Sequence, residues 1–250
     1  MTKKRNRKLT QEDIDTITEF SISRQTENNG DNFFTQIKVD VKPKTENQKK
    51  LLQAIKENEI TIASGLPGTG KTFLACAEAL KLLKNPESPY QKILLVKSVT
   101  TLKDEEIGFL KGTMEEKMEP FMYSFTGNFE KIIGRTTLEN LKANHIIEEQ
   151  PLAYIRGITI DNAIIIVDET QNINKKNLRS IMTRLGEDSK MIFLGDEEQI
   201  DMKDTSNSSL RYAMKYFEPL DEVGTVFFGE DDVVRHPLIK KIEQIFRENP

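Results

Sequence analysis

The sequence predicts an α/β fold, a mainly parallel sheet with helices on both faces. Three observations predict it. Short runs that are apolar almost throughout, NAIIIVDE (162–169) and KMIFLGD (190–196) above all, read as strands covered on both sides. Segments with helical spacing of apolar residues alternate with them, FLACAEALKLLK (73–84) being the clearest. A glycine-rich turn at residues 65–72 joins a strand to a helix. In such a fold right-handed crossovers place a functional site at the carboxyl ends of the strands.

The elements follow in order. TENQKKLLQAI begins a helix with Thr45 as its cap, and EITIAS (59–64) is a short strand. The helix 73–84 stops at NPESP, and KILLVK (92–97) is the second strand. Residues 103–123 read as charged helix. Residues 126–150 read as short helices and an irregular or hairpin insert. After the strand 162–169 come a helix at 174–185, the strand 190–196, a helix at 208–217, a strand at 224–228 and a closing helix at 237–246. Residues 1–44 differ in character. Lys3, Lys4, Arg5, Arg7 and Lys8 form a basic arm, and FFTQIKVDV (33–41) alternates weakly as a lead-in strand. The arm either touches phosphates or is a solvated tail. The expected organisation is therefore an arm with its strand (1–44) and one α/β domain (45–250).

The bulk chemistry narrows the function. A chain of 250 residues suits one large domain, and a 37% hydrophobic and 30% charged composition reads as soluble and globular. With 36 basic and 40 acidic side chains the net charge is −4, so binding to nucleic acid cannot rest on the whole molecule's field and requires a local patch. The single cysteine, Cys76, excludes an internal disulfide and lies in an apolar helical stretch, which reads as a buried structural thiol. No run approaches the ~18 apolar residues of a membrane span. The basic first residues lack a secretory core, so the cytoplasm is the expected compartment.

Residues Gly65, Leu66, Pro67, Gly68, Thr69, Gly70, Lys71 and Thr72 match the phosphate-loop pattern GxxxxGK followed by Ser or Thr, in full and in the right strand-to-helix context. Glycines let the loop turn its N–H groups onto phosphate oxygens, and the following helix N-terminus adds partial positive charge. Lys71 is expected at the β- and γ-phosphates of ATP, and Thr72 at Mg2+. The strand IIIVDE delivers Asp168 as a magnesium ligand and Glu169 to orient or deprotonate the attacking water. The next strand exits as GDEEQ, bringing Asp196 and Gln199 to the same end. Gln199 is the candidate γ-phosphate sensor, because an amide both donates and accepts. Gln48 could read an adenine edge, although a solvent-facing helical glutamine is the plainer reading. Arg235 could stabilise charge at the γ-phosphate, within one chain or across a subunit boundary, or anchor a turn. Arg156 carries the same ambiguity.

The ordered segments GLPGTGKT, GFLKG with EKMEP, AYIRG, IIIVDETQN, TRLG, GDEEQID and DVVRHPL resemble the PhoH family of ATPases over about residues 45 to 247. The resemblance implies a RecA-like P-loop NTPase core and Mg-dependent ATP hydrolysis. It also implies a helicase-like role on RNA or single-stranded nucleic acid, and a homo-oligomer, commonly a ring-shaped hexamer. Gln48 falls at the family's adenine-reading glutamine, Gly65 to Thr72 at Walker A, Asp168, Glu169 and Gln171 at its DEAQ segment, Gly195, Asp196 and Gln199 at GDxxQ, and Arg235 at the arginine of RHP. The chain departs from the family at Thr170, Glu198, Lys97 and Ser98, with Lys97 standing for an arginine. The 44-residue lead is too short for a nuclease domain, which points to the stand-alone phage or bacterial type. A nucleotide-dependent switch with a protein partner is the alternative function. A small-molecule kinase fits less well, since the two acidic strand ends suit water activation.

Overall fold

The computed structural model describes residues 37–97, 114–155, 157–202 and 205–235, together with positions 238, 239, 241, 242 and 245 of the closing segment. Backbone contacts gather the described residues from Lys38 onward into one compact unit. Six strands form one sheet: β1 (Ile60–Gly65), β2 (Lys92–Lys97), β3 (Ile147–Pro151), β4 (Ala163–Asp168), β5 (Lys190–Gly195) and β6 (Val223–Phe228). Their order is β3-β2-β4-β5-β1-β6, and every pairing is parallel. β4 and β5 are buried at every position. That is why they carry no polar alternation: both faces are covered, as in a doubly wound sheet.

Among the described residues the bounded α-helices are α1 (Glu46–Glu57), α2 (Lys71–Leu83), α3 (Met114–Ile133), α4 (Arg135–Ala143), α5 (Lys175–Met182) and α6 (Ser209–Phe217). Leu178 and Ile181 of α5 and Leu210 and Ala213 of α6 join Leu94, Val96, Ile165, Val167 and Phe193 in one apolar cluster on one face of the sheet. The alternating positions of the same strands meet the opposite face, where α1, α2, α3 and α4 pack in series. Ala75, Cys76, Ala77 and Ala79 of α2 are completely buried, and their small side chains let this helix lie close to the strands. Cys76 is the buried thiol expected of it.

α1 starts where the sequence places it. The Thr45 hydroxyl accepts from the Gln48 N–H at 3.2 Å, and Gln48, Leu51, Leu52 and Ile55 face inward at helical spacing. Two expectations change. Residues 37–41, the described part of the lead-in strand, contain neither strand nor helix, and residues 33–36 lie outside the described residues. The region 126–150 is no hairpin: α3 continues to Ile133, α4 follows, and β3 adds to the sheet edge parallel to β2. β3 was hidden by its own polarity. Its Glu148 pairs with Lys92 at 3.1 Å and Glu149 with Lys142 at 2.6 Å, charges that suit an edge strand and mask the pattern of a buried one. Residues 103–113 of the expected charged helix lie outside the described residues; the described positions of the closing segment are helical.

Lys190 opens β5 almost fully buried, its ammonium turned back on the end of α1 to donate to the carbonyls of Lys56 (3.3 Å) and Asn58. Burial pulls its pKa from 10.5 to about 8, against the opposing pull of Glu59. The unfolded chain therefore binds a proton that the folded chain lacks between those values, and this group adds stability as the pH rises through that window. The urea midpoint should rise more between pH 8 and pH 10 in the wild type than in Lys190→Met; equal rises would show that Lys190 is not the group responsible.

Candidate functional site

Three adjacent strands, β4, β5 and β1, end in the same place, and their carboxyl ends with the segments that follow build one cleft of about 380 Å³. β1 runs directly into the glycine loop. Gly68 has φ +78, and a Cβ there would overlap the Arg235 side chain; Gly70 caps α2 at φ +85. Both conformations belong to glycine, which is why the loop can fold this tightly. Val234 donates its N–H to the Gly68 carbonyl at 3.0 Å, holding the segment after β6 against the loop and setting Arg235 in its own chain's cleft.

Lys71 opens α2 with only 9% of its surface exposed. Its ammonium donates to the carbonyls of Gly65 (2.6 Å) and Leu66 (2.9 Å) and to the Thr69 hydroxyl (3.3 Å). Burial lowers its pKa, while Asp196, Asp168 and Glu169 pull it the other way. Asp168, at the last position of β4, sits in register with Lys97 of β2. It accepts from the Thr72 hydroxyl at 3.3 Å and from the Glu169 N–H at 3.0 Å. Burial first, and the neighbouring Glu169 second, push its pKa up to about 6. Asp196, after β5, accepts the Glu198 N–H at 2.9 Å through Oδ1. Its other oxygen, Oδ2, is buried with no hydrogen-bond partner among the described residues.

Glu169 adopts a left-handed backbone (φ +55), unusual for a non-glycine residue and common at functional turns. Both carboxylate oxygens are held: Gln171 Nε2 donates to Oε2 at 2.6 Å, and the Lys97 ammonium lies 3.8 Å from Oε1. Gln171 is wholly buried in the short turn Thr170–Asn172 and spends its whole amide. Besides Glu169 it donates to the Gln199 carbonyl at 3.1 Å and accepts from the Asp196 N–H at 3.1 Å. It therefore ties the end of β4 to the end of β5. The first residues of α6 brace the same turn. The Ser208 hydroxyl donates to the Gln171 carbonyl (2.8 Å) and the Ser209 hydroxyl to the Thr170 carbonyl (3.2 Å).

These donors fit a divalent ion of the magnesium type. A hydroxyl and a buried carboxylate lie side by side, and Asp196 contributes an unsatisfied buried oxygen to the same cleft. Among the described residues no group of three or more His, Cys, Asp or Glu could hold a metal, so phosphate and water would complete the shell, as magnesium accepts.

Of the residues singled out from sequence, Pro67, Gly68, Gly70, Lys71, Thr72, Asp168, Glu169, Gln199 and Arg235 line the cleft. Gly65, Leu66 and Thr69 stand behind it, their oxygens occupied by Lys71, and Thr69 donates its hydroxyl to the Leu66 carbonyl at 2.9 Å. Gln48 is neither solvent-facing nor in the cleft lining. It is buried, donates to the Thr69 carbonyl at 2.9 Å and accepts from the Lys44 N–H at 2.6 Å. Arg156 lies outside the described residues. Sequence reasoning did not place Phe73, Ser124 and Asn128 at the cleft, nor Lys97 beside Glu169. Ser124 accepts from the Lys97 ammonium at 3.0 Å. Lys97 had a readable signal, a cation ending a strand next to the acidic one. Ser124 and Asn128 had none, because they fall outside the motif segments, beyond EKMEP on the same helix.

A parallel sheet with helices on both faces, a phosphate-loop sequence between β1 and α2, and acids closing β4 and β5 together define a P-loop core of the RecA-like class. The family model described as PhoH-like protein matches residues 40–247, and the chain belongs to that family. It is 36% identical over 206 residues to the PhoH-like protein of Bacillus subtilis, covering 82% of this chain and 64% of that one. It is 35% identical over 209 residues to the PhoH-like protein of Synechocystis sp., covering 84% of this chain and 63% of that one. The chain thus spans just under two thirds of these relatives' length. Among solved structures, the large terminase of a thermophilic bacteriophage aligns with a TM-score of 0.49 at 12% identity, covering 81% of this chain and 50% of that one. No helix among the described residues is long and apolar enough to cross a membrane.

Truncating Gln171 to Ala would leave the buried Asp196 N–H without its acceptor and Glu169 without its donor. An unsatisfied buried group costs about 1–3 kcal/mol. Denaturant unfolding of Gln171→Ala should show a loss of that order; an unchanged midpoint would mean that the turn closes without this amide.

Proposed function

We propose that this chain binds ATP with magnesium, hydrolyses it, and couples the hydrolysis to the handling of RNA or single-stranded DNA. The observation that carries the reading is Glu169. Its carboxylate is held from both sides at the rim of a cleft that also contains Lys71, Asp168 and Arg235. A fixed carboxylate facing cations across a phosphate-sized cleft is what water activation beside a γ-phosphate needs. In this reading Lys71 exchanges its loop carbonyls for β- and γ-phosphate oxygens, and the N–H groups of Gly68 to Thr72 receive the phosphates. Thr72 and Asp168 hold magnesium, which when bound would neutralise charge on the same oxygens. Gln199 senses the γ-phosphate. Arg235, beside Gly68, meets transition-state charge within its own chain. Gln48 acts by holding the Thr69 carbonyl, with adenine reading left to a repacked amide. The active form is a homo-oligomer, expected as a ring-shaped hexamer. A monomer with full turnover in sedimentation would remove the ring.

The net charge of −4 favours the second reading, a nucleotide-dependent switch with a protein partner. Turnover with and without single-stranded RNA and DNA, at low and moderate salt, separates the two. Salt-sensitive stimulation supports the nucleic-acid reading, because phosphate contacts release counterions. Indifference to both polymers supports the switch.

Lys71→Ala should lose nucleotide binding, measured by titration of a fluorescent ATP analogue. Glu169→Gln should keep that binding while turnover falls about a hundredfold or more, the usual contribution of a positioned general base. Wild-type turnover in Glu169→Gln would remove Glu169 from water activation.

A further inference from the structure

Although the molecule is acidic as a whole, α5 and α6 are not. Their sequences, KKNLRSIM and SLRYAMKYF, carry five cations, Lys175, Lys176, Arg179, Arg211 and Lys215, and no acidic residue. All five are exposed. On α6 the cations alternate with tyrosines in a spaced pattern, Arg211-Tyr212 and Lys215-Tyr216. Residues four apart stack on one side of a helix, so the pattern makes a row of cations beside a row of rings. The two rings lie 4.7 Å apart at 39°, and Tyr216 is 56% exposed. Each carries an ammonium over it: Lys175 of α5 lies 5.5 Å from the Tyr212 centroid and Lys215 5.3 Å from that of Tyr216. Exposed rings beside ammonium groups offer flat faces on which a further planar group can stack. Lysines beside such faces are placed to meet the phosphates of whatever does.

We propose that the exposed face of α5 and α6, centred on Tyr212 and Tyr216, is a docking surface for an unpaired polynucleotide strand, bases on the rings and backbone phosphates on the lysines. Base–aromatic stacking tolerates any sequence, because every base has a π-face. The surface resolves the difficulty set by the net charge: a local patch serves where the whole field cannot. It is also wired to the hydrolytic end of the sheet. The N-terminus of α6 holds the turn Thr170–Asn172 through Ser208 and Ser209, and Arg211 pairs with Glu197, after β5, at 2.9 Å. A strand seated on α6 would thus bear on the turn that positions Glu169.

The proposal rests on the reading of the chain as a nucleic-acid-coupled ATPase, and one set of measurements separates the two. Fluorescence anisotropy of the full chain is followed with labelled oligo-U RNA and oligo-dT DNA at several salt concentrations, together with ATP turnover. Tyr216→Ala should weaken binding of the preferred oligomer roughly tenfold or more. Tyr212→Phe/Tyr216→Phe should bind as the wild type, since stacking needs no hydroxyl. Lys215→Glu should weaken binding and lower the log–log salt slope by about one. Basal turnover without oligomer should be unchanged in all three, which also shows that they fold. Wild-type binding and stimulation that persist in Tyr216→Ala and Lys215→Glu would overturn the surface and leave the coupled ATPase standing. A wild-type chain that binds neither oligomer at low salt would overturn both.

Discussion

The site depends on one buried ammonium. Lys71 lies among the carboxylates of Asp168, Glu169 and Asp196, which neighbouring strands deliver to the same end of the sheet. Charges taken out of water are costly unless compensated, and like charges at adjacent strand ends repel. The ammonium, together with Lys97 at the end of β2, lets the strand ends converge. The convergence in turn makes a cleft in which a polyanion can be received, since the cations that neutralise the protein's own acids are the ones a phosphate would recruit.

Around that charged centre the fixing is done by neutral amides. Gln171 and Gln48 are both buried and both spend donor and acceptor on the backbone, one between the ends of β4 and β5, the other behind the glycine loop. A neutral group can be buried with satisfied hydrogen bonds at small cost, where another charge would perturb the titration of every neighbour. The machinery is thus split between a few charges that face the cleft and amides and serines that hold them from behind.

Much of this was legible in the sequence. The five strands β1, β2, β4, β5 and β6 and the helices between them follow from apolar runs, and the loop from its glycines. The positions of Asp168, Glu169 and Gln199 at the cleft follow from the rule that parallel strands bring their carboxyl ends to one side. Three things were not legible, each for a physical reason. β3 is an edge strand whose acids are neutralised by lysines outside the strand, so its local pattern looks like loop. Gln48 looks like a surface residue because nothing local shows that Thr69 and Lys44 will enclose it. Ser124 and Asn128 come to the cleft through the packing of α3, a tertiary accident with no local signature.

The strand order has a consequence in time. β1, which carries the glycine loop, is the first strand of the sheet in chain order, yet its two neighbours are β5, beginning at Lys190, and β6, beginning at Val223. Loop closure over such separations is slow, and no nearer strand can stand in. During synthesis β1 must wait unpaired for β5 and β6, so the phosphate loop cannot be locked before Phe228 has been made. A shorter piece of this chain, ending before β5 and β6, therefore holds the sequence of the phosphate loop but not the sheet that sets its shape.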